Sequence, residues 1–255
     1  MSTVGYSVGE SVATITLDAP QRRNALSAEL LVQLREHLDE AAGDATVRAV
    51  VLTHTGTVFC SGMDLTAVTE VAAEDQPIVA FPQLLQRIRE FDKPVIARLD
   101  GKARAGGIGL VAACDLAFAS AQADFAFTEV RLGLVPAVIS VPVLALIAPR
   151  DVLELCLTGE TFDADRAARI GLLSRVLADT EALDAEVARY AAMLRLGEPV
   201  ALAATKAMLR RDRSGLSMAD DFAAMSRLSA GYFASPAAAE GIAAFREKRP
   251  PSWAR

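Results

Sequence analysis

The feature that most restricts the fold is an alternation of short apolar strands with helical segments over the first half of the chain. Residues 12–17 (VATITL) alternate with a period of two, which is typical of a strand. Residues 49–53, 94–99 and 116–119 are apolar runs of the length expected for buried strands. Helical periodicity over 28–42 separates the first two strands. This order predicts an α/β fold with strand–helix connections and excludes a sandwich.

The chain changes character after residue 181, because the remaining segments are helical and rich in alanine (EALDAEVARYAAML, PVALAATKAMLRR, SMADDFAAMSRLSAGYF). We therefore predict two units, a core of residues 1–181 and a helical C-terminal region of residues 182–255. Aromatic residues make up only 5% of the sequence against 52% for all hydrophobic residues. The core is accordingly expected to consist mostly of aliphatic side chains.

Charge and cysteine usage restrict the function classes. The formal net charge of -6 disfavours nucleic acid and anionic membranes as partners, because both carry negative charge. The three cysteines have no metal-type or redox-type spacing, which favours reduced thiols. No signal peptide or apolar run of membrane-spanning length is recognisable. We expect a soluble, cytoplasmic protein.

A glycine cluster in the stretch GKARAGGIG (101–109) is the strongest local motif. A dinucleotide fingerprint fails because Ala112 stands where its last glycine belongs, and the P-loop pattern is absent. The histidines are isolated and no acidic triplet has ligand spacing, so no metal site is predicted. Two interpretations remain open. The glycines either allow an apolar helix, expected over 108–114, to pack tightly on the preceding strand or let a ligand reach the amides of that helix's N-terminus, and such amides stabilise an oxyanion.

A second glycine-marked turn favours the oxyanion interpretation. The stretch FCSGMDL (59–65) follows the apolar run at 49–53 and offers Gly62 with the amide of Met63. Two such turns after neighbouring strands could direct two N–H groups at one oxygen.

At this point the chain resembles the crotonase (enoyl-CoA hydratase/isomerase) superfamily. The similarity covers nearly the whole chain in six ordered motifs, RRNALS (22–27), VRAVVLTHTGTVFCSGMDL (47–65), KPVIARLDGKARAGGIGLVAACDLAFAS (93–120), FAFTEVRLGLVPAVIS (125–140), LTGETFDADRAARIGLLSRV (157–176) and EGIAAFREKRPPSW (240–253). The resemblance implies a spiral of ββα turns with a C-terminal helical trimerisation region, assembled as a homotrimer or hexamer. It also implies an acyl-CoA substrate, with coenzyme A as part of that substrate and no separate cofactor.

The resemblance also implies roles for individual residues. The amides of Met63 and Gly106 would hold the thioester oxygen. Arg23, the backbone of Ala25 and Lys248, the last of these from this or a neighbouring subunit, would contact coenzyme A. Ser61, Asp64, Arg104 and Gly109 complete the predicted substrate-binding set, although Asp64 also fits a residue that holds its turn by hydrogen bonds.

The sequence departs from the two-glutamate pattern of typical hydratases. The second glutamate aligns with Glu129, but the position of the first holds Gly109, and the following loop, PAVIS (136–140), supplies no carboxylate. Glu129 is the predicted acid/base, with its pKa raised by apolar neighbours. The alternative is a structural carboxylate paired with Arg131.

Three functions remain open. The first is an enoyl-CoA hydratase, acting on a branched or carboxylated acyl group in the manner of the bacterial methylglutaconyl-CoA hydratase-like branch. In this hypothesis Arg104 pairs with a substrate carboxylate, and otherwise it contacts solvent or the segment 64–93, which is expected to set acyl specificity. The second is a Δ3–Δ2 enoyl-CoA isomerase using Glu129 alone. The third is a non-catalytic acyl-CoA-binding homologue.

Overall fold

Two β-sheets and a set of surrounding helices make up the protein, here represented by a computed structural model that describes residues 2–65, 77–211, 214–215 and 217–254. The strands are β1 Val4–Gly9, β2 Val12–Leu17, β3 Ala49–His54, β4 Val58–Cys60, β5 Val95–Leu99, β6 Lys102–Arg104, β7 Leu116–Ser120, β8 Asp124–Ala126, β9 Phe162–Asp163 and β10 Arg175–Leu177. The helices are α1 Ala28–Gly43, α2 Pro77–Arg89, α3 Gly106–Ala113, α4 Ala137–Leu144, α5 Pro149–Thr158, α6 Ala164–Arg169, α7 Thr180–Arg195, α8 Pro199–Arg210, α9 Met218–Phe233 and α10 Pro236–Glu247.

From β3 to β8, successive strands alternate between the two sheets. The larger sheet has the order β1-β2-β3-β5-β7-β10 and is parallel except for the β1–β2 hairpin. The smaller sheet has the order β4-β6-β8-β9, with β9 antiparallel to β8. Each pair β3–β4, β5–β6 and β7–β8 thus gives one strand to each sheet before a helix follows. This repetition is the spiral of ββα turns that the sequence resemblance implied, so the predicted fold class is confirmed.

Helix α1 illustrates how the sequence pattern becomes packing. Its apolar residues fall at helical spacing, and Leu30, Leu34 and Leu38 are all buried in the core. Ser27 caps the helix by accepting a hydrogen bond from the Leu30 amide at 3.2 Å. The helix therefore presents one apolar face to the sheet and leaves the other to solvent.

The glycine-rich helix begins earlier than the sequence pattern indicated. An apolar helix was expected over 108–114, whereas α3 starts at Gly106. Strand β6 precedes it and escaped detection because KAR is short and two of its three residues are charged. Within the segment 64–93, which is expected to set acyl specificity, helix α2 starts at Pro77 and contains Pro82. Residues 66–76 of that segment lie outside the described part of the chain.

The C-terminal helices are anchored on the core by polar and aromatic contacts. Tyr190 of α7 packs on Phe118 with ring centroids 4.7 Å apart. In α8, Lys206 Nζ lies 2.8 Å from Asp115 Oδ2, and Arg210 lies 2.9 Å from Asp115 Oδ1. Asp115 thus ties α8 to the start of β7. None of the described helices combines the length and the apolar character needed to cross a membrane.

Candidate active site

A cavity of about 340 Å³ lies beside the two glycine-marked turns. Most of the residues around it are apolar. Its lining consists of Ser61, Met63, Leu65, Phe81, Ala105, Gly106, Thr128, Glu129, Leu132, Leu134, Val135, Pro136, Ala137, Val138 and Ile139. The predicted oxyanion residues and the predicted acid/base are therefore in one concave site, as expected for a small-molecule pocket.

The first turn ends at the N-terminus of α3. Gly106 is the first residue of the helix, and its amide has no acceptor among the described residues. The preceding residue, Ala105, has φ 47° and ψ −117°, a conformation that residues with a Cβ rarely adopt. The N–H of Gly106 is consequently available to a ligand at the positive end of the helix dipole.

The second turn contains Met63. The Leu26 amide donates to Gly62 O at 2.8 Å, and the Asp64 amide donates to Leu26 O at 3.2 Å. Amide directions alternate along extended chain, so the Met63 N–H points away from Leu26. It has no acceptor among the described residues. Met63 therefore supplies a second available amide next to the cavity.

The two turns pack closely against each other, and the glycines are needed for this contact. A Cβ on Gly62, whose φ is +91°, would lie 3.5 Å from the Gly106 nitrogen and 3.0 Å from the Ala105 Cβ. A Cβ on Gly107 would lie 2.6 Å from the carbonyl oxygen of Cys60. Tight packing and available amides are therefore two aspects of the same arrangement, and the interpretations left open by the sequence do not exclude each other.

Asn24 is the buried residue that holds these turns, and the sequence reasoning missed it. Its side chain accepts from the Ala19 amide at 2.8 Å and donates to Thr55 O at 3.1 Å and Val58 O at 2.7 Å. Its φ of 51° lies in the left-handed region, which Asn tolerates, so the signal in the sequence was an Asn in the loop before α1. The loop that Asn24 fixes then binds the Met63 turn, with the Ser61 amide donating to Arg23 O at 3.1 Å.

Glu129 begins a short 3-10 turn at one wall of the cavity. Its Oε2 atom is buried and has no hydrogen-bond partner among the described residues. Burial raises the pKa of this carboxyl above its ordinary value. Arg131 donates instead to Thr158 O at 3.3 and 3.2 Å, so the alternative of a Glu129–Arg131 pair is wrong. A protonatable group with a raised pKa faces an apolar site.

Gly109 does not contact the cavity, in contrast to the prediction that it binds substrate. It is buried against Ile139, and a Cβ on Gly109 would lie 2.6 Å from Ile139 Cγ2. Ile139 thus fills the space next to the position of the missing glutamate. No second carboxylate lines the cavity within the described residues. The described residues also contain no group of three or more His, Cys, Asp or Glu side chains able to hold a metal ion.

Two further predicted substrate contacts are corrected by the structure. Arg104 forms an ion pair with Asp124 and also donates to Asp124 O at 2.8 Å, and it is not among the described residues that line the cavity. Asp64 is buried and ion-paired with Arg22, which agrees with a turn-holding role and not with substrate binding. Ser61, by contrast, is part of the lining.

The residues predicted to contact coenzyme A lie outside the cavity. Arg23 is exposed, and the carbonyl oxygen of Ala25 accepts from the Ser27 amide at 2.8 Å. Lys248 follows α10 in the left-handed conformation with φ 54°. None of the three belongs to the cavity lining of this chain, and their contact with coenzyme A remains a prediction.

Comparison with known proteins decides the family. The family described as Enoyl-CoA hydratase/isomerase matches residues 7–255. The chain belongs to the enoyl-CoA hydratase/isomerase family. It is 31% identical to the 2,3-dehydroadipyl-CoA hydratase of Escherichia coli strain K12, over 99% of both chains. It is 34% identical to the human enoyl-CoA hydratase domain-containing protein 3, mitochondrial, over 96% of this chain and 81% of that protein.

Solved structures of this family have the same fold. An enoyl-CoA hydratase from Mycobacterium smegmatis superposes with a TM-score of 0.92 at 34% identity, covering 100% of both chains. The structure of human enoyl-CoA hydratase domain-containing protein 3 gives a TM-score of 0.92 at 29% identity, covering 98% of this chain and 100% of that chain. The family relationship thus extends over the cavity and both turns.

Proposed function

We propose that this enzyme hydrates the C2=C3 double bond of an enoyl-CoA thioester. The single observation that carries the proposal is the environment of Glu129. Its Oε2 atom is buried in an apolar cavity beside the amides of Met63 and Gly106, and none of these three groups has a partner among the described residues. The names of the relatives, including a 2,3-dehydroadipyl-CoA hydratase, support hydration as the reaction.

The first element of the mechanism is the thioester oxygen. It accepts hydrogen bonds from the amides of Met63 and Gly106 and gains negative charge as the enolate forms. Removing one such donor typically costs about 3 to 4 kcal/mol of transition-state stabilisation. The amides are fixed before the substrate binds, so no reorganisation opposes charge development at that oxygen.

The second element is the proton. The Glu129 carboxylate accepts a proton from water while the water oxygen forms a bond to C3, and the π electrons move to the thioester. The protonated Glu129 then returns a proton to C2 as the enolate collapses. One water is added, and the carboxylate is regenerated. A raised pKa makes the Glu129 carboxylate a stronger base for the first step, and the carboxylic acid is still far more acidic than C2, so it gives up its proton in the second step.

Isomerisation is the second candidate, and the packing of Gly109 against Ile139 favours it. With one carboxylate, Glu129 would remove a proton from C2 of a 3-enoyl ester and return it to C4. This reaction needs no water at the active site. The stabilised enolate is the same in both reactions.

Mass spectrometry of enoyl-CoA esters after incubation distinguishes these functions. Linear and branched 2-enoyl and 3-enoyl esters would be incubated with the wild type and with Glu129→Gln. A gain of one water that requires Glu129 supports the hydratase, and an unchanged mass with a moved double bond supports the isomerase. An activity that is absent from both proteins would support a non-catalytic acyl-CoA-binding homologue.

Assembly and coenzyme A binding form part of the same proposal. Helices α9 and α10 expose large apolar side chains, with Phe222 68%, Phe233 75% and Phe245 85% exposed. Such surfaces support a homotrimer or hexamer in which residues 182–255 form the contacts. Light scattering on the purified protein tests the assembly.

Coenzyme A would be held by Arg23, Ala25 and Lys248. The Kd of coenzyme A for Lys248→Gln, compared with that of the wild type, tests the contact.

A further inference from the structure

We infer that the acyl pocket selects uncharged enoyl groups and rejects those with a distal carboxylate. The inference rests on the proposed function, because it concerns the substrate class of the same cavity. It replaces the carboxylated substrate that the sequence indicated through Arg104.

The lining of the cavity offers a distal carboxylate no hydrogen-bonding or ionic environment. Beyond the two turns and Glu129, its polar side chains among the described residues are Ser61 and Thr128. The inner part is formed by Phe81 and Ile139, which are apolar and only 1% and 4% exposed. An ionised group placed there loses water without gaining a donor, and this is strongly unfavourable.

The charge balance of the site points the same way. The one ionisable side chain in the described lining is Glu129, which repels a second carboxylate when it is ionised. No lysine, arginine or histidine lines the cavity within the described residues.

The nearby arginines are already engaged. Arg104 is paired with Asp124, and Arg22 is paired with Asp64. Arg131 donates to Thr158 O and lies against Gly159, where a Cβ would be 2.8 Å from its Nε. Recruiting any of these cations would require breaking an existing interaction. The cavity therefore matches a neutral, apolar acyl group.

Two enoyl esters that differ by a terminal carboxylate test this selectivity. The value of kcat/KM would be measured for crotonyl-CoA and for glutaconyl-CoA at pH 8. We expect a preference of about 100-fold for crotonyl-CoA, since juxtaposed like charges and lost solvation each disfavour the carboxylated ester. A preference of tenfold or more supports the inference, and a smaller preference overturns it.

A cation placed at the rim should reverse part of this selectivity. Val135 is 79% exposed, so Val135→Arg is not expected to disturb the fold. It should raise the glutaconyl-to-crotonyl ratio of kcat/KM about tenfold, whereas the matched control Val135→Gln should leave the ratio as in the wild type. Arg104→Gln should also leave the ratio unchanged. A fall in the ratio for Arg104→Gln would show that Arg104 binds the substrate carboxylate and would contradict the inference.

Binding of unreactive esters separates this inference from the proposed function. The Kd values of butyryl-CoA and glutaryl-CoA, measured by calorimetry, do not depend on turnover. Tighter binding of butyryl-CoA, with a difference that narrows in Glu129→Gln, supports the inference even if no enoyl ester is converted. Equal Kd values in the wild type overturn it even if crotonyl-CoA is hydrated.

Discussion

The contact between Gly109 and Ile139 predicts that Gly109→Ala destabilises the wild type but stabilises a variant that lacks the Ile139 side chain. An alanine Cβ at position 109 would lie 2.6 Å from Ile139 Cγ2, about 1 Å inside the optimal separation of two carbon atoms. Overpacking of this kind costs about 1 to 3 kcal/mol. Alanine also gains about 1 kcal/mol over glycine in a helix interior. Gly109→Ala is therefore expected to lower the free energy of unfolding by about 1 kcal/mol.

Removing the Ile139 side chain reverses this effect. Ile139→Ala alone should cost about 2 to 5 kcal/mol because the side chain is 4% exposed and leaves a cavity. In that background the Cγ2 contact is gone, and the remaining contact, 3.1 Å between the added Cβ and the Cβ of position 139, is relieved by a shift of a few tenths of an ångström into the vacated space. The helix propensity of alanine then makes Gly109→Ala stabilising by about 1 kcal/mol. The two substitutions should therefore be coupled by about 2 kcal/mol.

Urea unfolding of the four proteins at one fixed protein concentration measures this coupling, provided the m-values agree. Gly231→Ala in α9 is the matched control, because nothing lies within 4 Å of the added Cβ and only the propensity gain remains. If Gly109→Ala changes stability by the same amount with and without Ile139, the packing explanation of the missing glutamate is wrong.

Three further predictions concern residues around the cavity. Glu129→Gln should lower kcat by about 100-fold to 10,000-fold. The raised pKa of Glu129 means that the wild type loses stability as the pH rises through that pKa. Glu129→Gln should therefore be more stable than the wild type at neutral pH, and the difference should vanish below the ordinary carboxyl pKa of 4.5. Asn24→Asp should cost about 2 to 5 kcal/mol in unfolding experiments, because the carbonyls of Thr55 and Val58 lose their donor. It should also reduce kcat more than it raises KM, whereas an unchanged kcat would show that Asn24 does not position the Met63 amide. Ala105→Gly should stabilise the protein by about 1 kcal/mol through relief of the positive φ, and a lower midpoint would contradict the assigned backbone strain.

The sequence predicted the parts of the site that local chemistry determines. Glycine-marked turns after strands identified the segments that carry Met63 and Gly106, and the apolar neighbours of Glu129 indicated its raised pKa. The spiral of ββα turns came from the family resemblance and not from periodicity, since a strand as short and polar as β6 has no recognisable pattern.

The remaining parts depend on contacts between distant segments. Arg104 resembles a ligand for a substrate carboxylate until Asp124, 20 residues away, is seen to bind it. Ile139 fills the space beside Gly109 from a different helix, and no property of either residue alone indicates the contact. The strained φ of Ala105 could not be foreseen, because three glycines follow within four residues and would be the natural places for such a conformation.

The combination of costly features in one cavity argues against the non-catalytic alternative. Unpartnered buried polar atoms occur elsewhere in the described chain, for example in Tyr6 and Thr53, so one such atom is not diagnostic. Within the described residues, the cavity combines two features that each reduce stability, an unpartnered buried carboxyl oxygen on Glu129 and a strained Ala105, with two amides that have no protein acceptor. A protein that only bound the acyl chain would need none of them, because apolar contacts suffice for that purpose. An enolate oxygen supplies the missing acceptor for both amides, and a transferred proton supplies the missing partner for Glu129. The polar groups of the cavity are thus the ones that a reacting substrate would pair, as expected where binding is strongest in the transition state.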